Sequence, residues 1–389
     1  MARLPSGSGF ELNSLGSGIE WSGINTGSPA QTIQSTIANT GRALKTPSLS
    51  ASTAINNVAI AFATSNQTSA HFARFYYYYT GAPNGDTRIC SYNNTGLTLI
   101  AGINLNSSGQ LQMTESTTLV GSASSALTTN TMYRIEFKID GSPSSGSRIL
   151  EFKINSSVIS TYSSGTFGGY GYFNCGSNLA GATRTVGEMY FDDIAVNNSS
   201  GSFQNSYPGD SKILVMRPDS AGDNSGWTGA YSDINETTPN DDTNFMTAGG
   251  SAATFDVNLE PSGLSASDTI NVVQLGIRFR GTNATAAFNP IFVSRIKASS
   301  GGTVEESAGQ RPGVAYVTRY DQLILYDLPG ASTTAWTASD LDNAQIGARI
   351  STTSALGDIR ITAMWLMVDY TPGTVIPSTV KNLAALGVG

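Results

Sequence analysis

Histidine, cysteine and charge are all scarce in this sequence, and each scarcity removes a class of chemistry. The 389 residues contain one histidine, His71, and two cysteines, Cys90 and Cys175. A Ser-His-Asp or Cys-His catalytic set must therefore use His71 or not exist. Two cysteines without CxxC spacing make neither a disulfide framework nor a zinc or redox site, and they read as reduced, buried thiols. Charged residues are 13% of the chain and the formal net charge is -7. No run of basic residues offsets that balance locally, so nucleic acid is not an expected partner. No apolar stretch approaches the length of a membrane span, and the opening MARLPSGSGFEL lacks the apolar core of a signal peptide. No glycine-rich loop leads into a helix, so no nucleotide cofactor is expected, and no other cofactor is implied.

What is present is a long series of short alternating runs among Gly, Ser, Thr and Asn, which is an all-β pattern. In YRIEFKID, residues Tyr133, Ile135, Phe137 and Ile139 share one face while Arg134, Glu136, Lys138 and Asp140 share the other. The first set is expected inward and the second wet. LEFKIN repeats the pattern with Leu150, Phe152 and Ile154, and GSPSSGS between the two runs can close a hairpin whose Glu and Lys side chains pair across the strands. After Val196, the polar NNSSGSFQNSYPGD is broken by glycine and proline before KILVMRP begins a new strand, which places a domain boundary near residues 198 to 210. In the second half Val273, Leu275, Ile277 and Phe279 again alternate with polar or small residues, and TASDLDNA offers one helical turn with Thr337 as cap and Asp340 three residues on.

The expected fold is thus two antiparallel β-sandwiches in tandem, residues 1–200 and 201–372, plus an extended C-terminal arm over 373–389. The arm with the two residues before it, TPGTVIPSTVKNLAALGVG, has no sustained periodicity and cannot bury a core alone. It is expected to be an assembly arm that seats Val375, Ile376, Leu383, Leu386 and Val388 in a neighbouring subunit.

The order FELN, TGRALK, FARFYYYYTG, YRIEFKID with LEFKIN, and MYFDDIAVNN resembles the concanavalin A-like or laminin G-like jelly roll of bacteriophage structural proteins, over roughly residues 9 to 197. SYPGDSKILVMRPDSAGDNSGWTG, WTASDLDNAQIGARI and DIRITAMWLMVDYTP are similar to the second sandwich that often follows it in virion proteins. The resemblance implies a non-enzymatic structural component of a bacteriophage virion, on the tail or head surface. It would be made in the bacterial host cytoplasm and be oligomeric in the particle with other capsid or tail subunits as partners. The alternative it implies is a lectin-like adhesin that binds host surface polysaccharide through the jelly roll.

Glu188 and Asp192 lie four residues apart on one strand, roughly 13 Å at about 3.3 Å per residue, whereas glycosidase carboxyls sit about 5 to 9.5 Å apart. Alternation puts Asp193 on the opposite face from Asp192, and the pair is expected to end a strand and bond a neighbouring loop. No catalytic and no metal residue is therefore expected. The acidic stretches PDSAGDNSG and TPNDDTNF, with Asp219, Asp223, Asp241 and Asp242, lack calcium-loop spacing and read as solvated turns. His71 reads as a structural hydrogen-bonding group. Asn-x-Ser/Thr triplets at Asn66, Asn106, Asn155 and Asn235 read as composition. In the tyrosine run, Tyr77 and Tyr79 share a face with Phe75, and Tyr76 and Tyr78 share the other. If the first set is core, Tyr76 and Tyr78 either stack on sugar faces or lie under a loop or at a subunit contact.

Overall fold

The computed structural model describes residues 9–12, 21–52, 54–62, 65–178, 184–237, 239–248, 253–283, 290–321, 327–331, 334–352 and 357–373. The five residues expected to seat the C-terminal arm, Val375, Ile376, Leu383, Leu386 and Val388, lie outside them.

The alternating runs become strands and pair antiparallel throughout. The first sandwich has two seven-stranded sheets. The front sheet runs in the order Ser157–Gly165, Arg148–Ile154, Tyr133–Asp140, His71–Tyr79, Met189–Asn198, Ala43–Thr46, Thr32–Gln34. Its inward side presents Phe75, Tyr77, Tyr79, Ile135, Phe137, Leu150, Phe152 and Phe191 to the back sheet, where they meet Tyr92, Ile103, Phe173 and Cys175. This is the parity that the alternation requires. Cys90 and Cys175 are register partners on neighbouring strands of the back sheet, buried and unbridged.

The second sandwich begins at Lys212–Met216. One sheet is built on two 13-residue strands, Thr269–Gly281 and Ile359–Thr371, flanked by Lys212–Met216, Val317–Asp321 and Met246–Ala248. The facing sheet orders Pro218–Ser225, Thr254–Leu259, Gln345–Thr352, Ile291–Lys297 and Glu305–Glu306. Val273, Leu275, Ile277 and Phe279 point into its core with Leu366 and Val368. The helical turn Ala338–Asp342 carries the expected reciprocal cap: the Asp340 N–H donates to Thr337 Oγ1 at 3.2 Å and the Thr337 N–H to Asp340 Oδ2 at 2.9 Å. PDSAGDNS is not a turn but the edge strand Pro218–Ser225.

The two sandwiches pack through the outer face of the front sheet. Leu12, Ala195, Ile213, Val215, Ala363, Trp365 and Met367 form a separate buried cluster there. Trp365 lies flat over Gly276, where any Cβ would come within 2.1 Å of the indole ring. Glycine at 276 is what lets the indole turn toward the seam.

Two expectations about this outer face are corrected. Residues 199–211, at the expected domain boundary, fold back as a strap over a face that was expected to be wet. The Asn197 Nδ2 donates to the Ser206 carbonyl at 2.9 Å, the Tyr207 hydroxyl to Glu151 Oε1 at 2.9 Å, and the Gly209 N–H to Glu136 Oε1 at 3.0 Å. The Tyr207 ring meets Phe72 edge-on at 5.0 Å, with the Lys153 ammonium 3.7 Å from its centre. Arg134 and Glu136, expected wet, are therefore 7% and 3% exposed. The second correction is to parity in MYFDDIAV. Asp193 sits at φ +47° and the pairing register shifts between Asp192 and Ala195. This bulge in mid-strand brings both carboxylates to the same side instead of opposite ones, and the strand continues to Asn198.

Candidate functional site

Beside the end of the strap, one part of the outer face stays open. It is a cleft of about 270 Å³ lined by Asn39, Tyr76, Met132, Arg134, Asn155, Ser156 and Asp210. Its floor follows from strand parity: Tyr76 is directly opposite Arg134 across the antiparallel pair, on the face away from the core. One wall is the two-residue turn Asn155–Ser156, with both residues at positive φ, 49° and 75°. That is the geometry of a tight turn whose twist matches the flanking strands, and asparagine tolerates it well. Asn155 Oδ1 accepts the Arg134 N–H at 2.9 Å, which ties the wall to the floor.

The opposite wall is the end of the strap. Asp210 Oδ1 accepts from the Tyr76 hydroxyl at 2.6 Å and from Arg134 Nη1 at 2.9 Å. Those partners, the tyrosine hydroxyl first, hold the Asp210 carboxyl below its usual range. Its side chain is nevertheless 77% exposed and faces the open side. Arg134 also bonds Ser156 Oγ and lies 3.6 Å from Glu136. The cleft thus gathers an aromatic ring, a thioether, a guanidinium, a carboxylate and two amides. Burial pushes the Tyr76 phenol up, so it remains a neutral hydroxyl at physiological pH.

The residues singled out in the sequence fall in several places. Tyr76 lines the cleft but is 7% exposed. Tyr78, half-buried, meets Tyr190 edge-on at 5.4 Å and donates to Asn130 Oδ1 at 3.1 Å. Glu188 pairs with Lys45 at 2.6 Å and accepts from the Tyr190 hydroxyl, and Lys45 above all keeps its carboxyl ionised. Asp192 and Asp193 are fully buried and hold the loop at Asn39 and Thr40. Asp192 Oδ2 accepts both backbone N–H groups, at 2.7 and 2.9 Å, and Asp193 Oδ2 takes the Asn39 amide and the Thr40 hydroxyl. His71 is 2% exposed, stacks on Phe62 at 4.5 Å and bonds the Ser69 carbonyl; burial lowers its pKa to about 4. Asp223 is held by Lys297 at 2.5 Å and Asp241 by Arg278 at 2.7 Å.

No local pattern in the sequence marks Arg134, Asn155, Ser156 and Asp210 as a site. Arg134 stood only as one polar residue of an alternating run and Asn155 only as part of an Asn-Ser-Ser triplet, because the strap that brings Asp210 over them reads locally as a linker.

No protein-family model matches the chain, and no curated protein matches it. Among solved structures it is similar to the cellulose-induced protein Cip1 (15% identity, 49% of this chain and 95% of that one, TM-score 0.34). It is also similar to the alginate lyase AlgAT5 of polysaccharide lyase family 7 (12%, 44% and 82%, TM-score 0.33). A third is the Trypanosoma rangeli sialidase in complex with the inhibitor DANA (10%, 51% and 30%, TM-score 0.34), of which the chain spans less than a third. The likeness is one of β-sandwich fold. None of these three is a virion protein. The expectation that the chain is no enzyme is corrected: the solved structures it is similar to include a lyase and a sialidase.

Proposed function

We propose that the chain is a glycan-binding module that takes a hydroxyl-rich sugar in the cleft beside Tyr76. The observation that carries this reading is the cleft itself. Sugar recognition needs an apolar ring for the C–H face and a few convergent polar groups for the hydroxyls. Met132 and the small exposed part of Tyr76 supply an apolar contact, and Arg134, Asn155, Ser156 and Asp210 supply the polar groups. Its volume of about 270 Å³ falls just below the ~300–1,000 Å³ usual for ligand sites, suited to the end of a chain rather than its length. Asp210 is the specificity element, because its exposed carboxylate accepts from sugar hydroxyls while Tyr76 and Arg134 fix its position.

The setting implied by the resemblance belongs to the same proposal: a component of a virion surface, on tail or head, with other capsid or tail subunits as partners and host surface polysaccharide as ligand. A glycan array with the full chain tests the binding, followed by titration of each hit against Tyr76→Ala and Asp210→Ala. The expected result is binding by wild type and a loss of at least tenfold in both variants, with Asp210→Ala still folded by circular dichroism. No bound glycan, or binding indifferent to both substitutions, refutes it. Mass spectrometry of purified particles tests the setting, and absence of the chain from them refutes that part alone.

A further inference from the structure

On the second sandwich, away from the cleft, the outer face of the sheet gathers three arginines that the sequence keeps apart. Arg278 and Arg280 lie on Thr269–Gly281 and Arg360 on Ile359–Thr371, with Arg280 and Arg360 in direct register. Two like charges opposite one another destabilise a sheet unless an anion joins them. One does: Asp242 Oδ1 accepts from Arg280 Nη2, from Arg360 Nη1 at 3.2 Å, and from the Tyr316 hydroxyl at 3.3 Å. Asp242 comes from a loop and its side chain is 59% exposed, against 24% and 28% for the two arginines. The guanidinium groups are fixed from behind by half-buried rings, Arg280 over Tyr316 at 4.8 Å and Arg360 over Phe245 at 4.1 Å. The Nε atoms of Arg280 and Arg360 are buried and have no hydrogen-bond partner among the described residues. Arg278 is neutralised separately by the fork of Asp241, at 2.7 Å on both arms.

We infer that the Arg280–Arg360 pair is a binding site for the carboxylate of an acidic glycan, with Asp242 as an internal carboxylate that the ligand displaces. Planar guanidinium groups favour a carboxylate bound by paired N–H donors. Tyr316 and Phe245, each stacked under one guanidinium, hold the two forks in place. Arg278, Arg280 and Arg360 set three cations beside Asp241 and Asp242 on this face, in a chain of net charge -7. The inference goes beyond the cleft on the first sandwich and does not depend on it.

The test is calorimetric titration of the full chain with a defined oligogalacturonate, with a neutral glucan oligomer and a single-stranded DNA oligonucleotide as comparators. Binding of oligogalacturonate is expected to weaken at least tenfold in Arg280→Ala and in Arg360→Ala, and several-fold between 50 and 200 mM NaCl. Asp242→Asn is expected to tighten it several-fold, an effect that a merely structural carboxylate would not produce. Arg280→Lys, which keeps the charge and loses the planar fork, should resemble Arg280→Ala. No binding by either wild type or Asp242→Asn overturns the inference. So does equal affinity for the oligonucleotide, which would mean charge attraction alone, or binding unaffected by the arginine substitutions.

Discussion

Replacement of Arg74 by methionine should both destabilise the chain and uncouple its two sandwiches. Arg74 is fully buried on the Tyr-rich strand, where the front sheet of the first sandwich faces the second. Its Nε donates to the Asp193 carbonyl at 3.0 Å, its Nη1 to Ser211, and its Nη2 lies 3.6 Å from Asp369 Oδ2. Asp193 and Asp369 are 0% and 3% exposed, so the guanidinium is the cation that makes two buried carboxylates tolerable. Burial pushes the Asp193 carboxyl up and Arg74 opposes it. Removing the cation of such a cluster costs about 3 to 5 kcal/mol, because buried carboxylates lose their ionic partner. Methionine keeps most of the volume, which separates the electrostatic loss from a cavity. Adding Asp369→Asn to Arg74→Met removes one stranded charge and should recover at least about 1 kcal/mol, a coupling expected between contacting residues. Urea unfolding followed by tryptophan fluorescence is the assay, since Trp365 lies in the seam while Trp227 and Trp336 lie in the second core. In Arg74→Met, loss of the Trp365 signal should precede that of the others. A loss below about 1 kcal/mol with no recovery in the double variant would refute the reasoning.

Other outcomes follow from the same contacts. Glu11, wedged at the seam and accepting the Arg42 N–H at 2.7 Å, has its pKa raised from 4.5 to about 7, chiefly by burial. The folded chain therefore holds this proton more tightly than the unfolded one, so the contribution is full below about 4.5 and is lost as pH rises through about 7. Thermal melts across that window should show stability falling as pH rises in wild type, and a flatter profile in Glu11→Gln. Tyr207→Ala removes the ring that pins the strap on Phe72 and Lys153, and should cost about 1 to 2 kcal/mol by urea unfolding; limited proteolysis should then cut within residues 199–211, which stay protected in wild type. Cys90 and Cys175 are buried at 2% and 1%, and burial pushes both thiols up. A thiol-specific reagent should label neither in the native chain and both in denaturant.

The alternation of side chains alone determined which residues turn inward. Phe75, Tyr77 and Tyr79, then Ile135, Phe137 and Ile139, and in the second half Val273, Leu275, Ile277 and Phe279 occupy the cores because a strand has period two and one face must leave water. The cap at Thr337 and the hairpin from Tyr133 to Ile154 are equally local and equally legible. Tertiary structure decided everything about the outer faces. Period two says that Arg134 and Glu136 share a side, but not that Tyr207 and Gly209 return to cover it. A single left-handed residue, Asp193, resets the parity of its strand, and nothing in DDIAV announces that bulge. Sequence distance also hid the charged sites. Tyr76, Arg134 and Asp210 meet only when strap and sheet close, and Arg280 meets Arg360 only by register across two long strands. Local periodicity encodes burial; the convergence of polar groups is encoded by long-range pairing, which no short stretch contains.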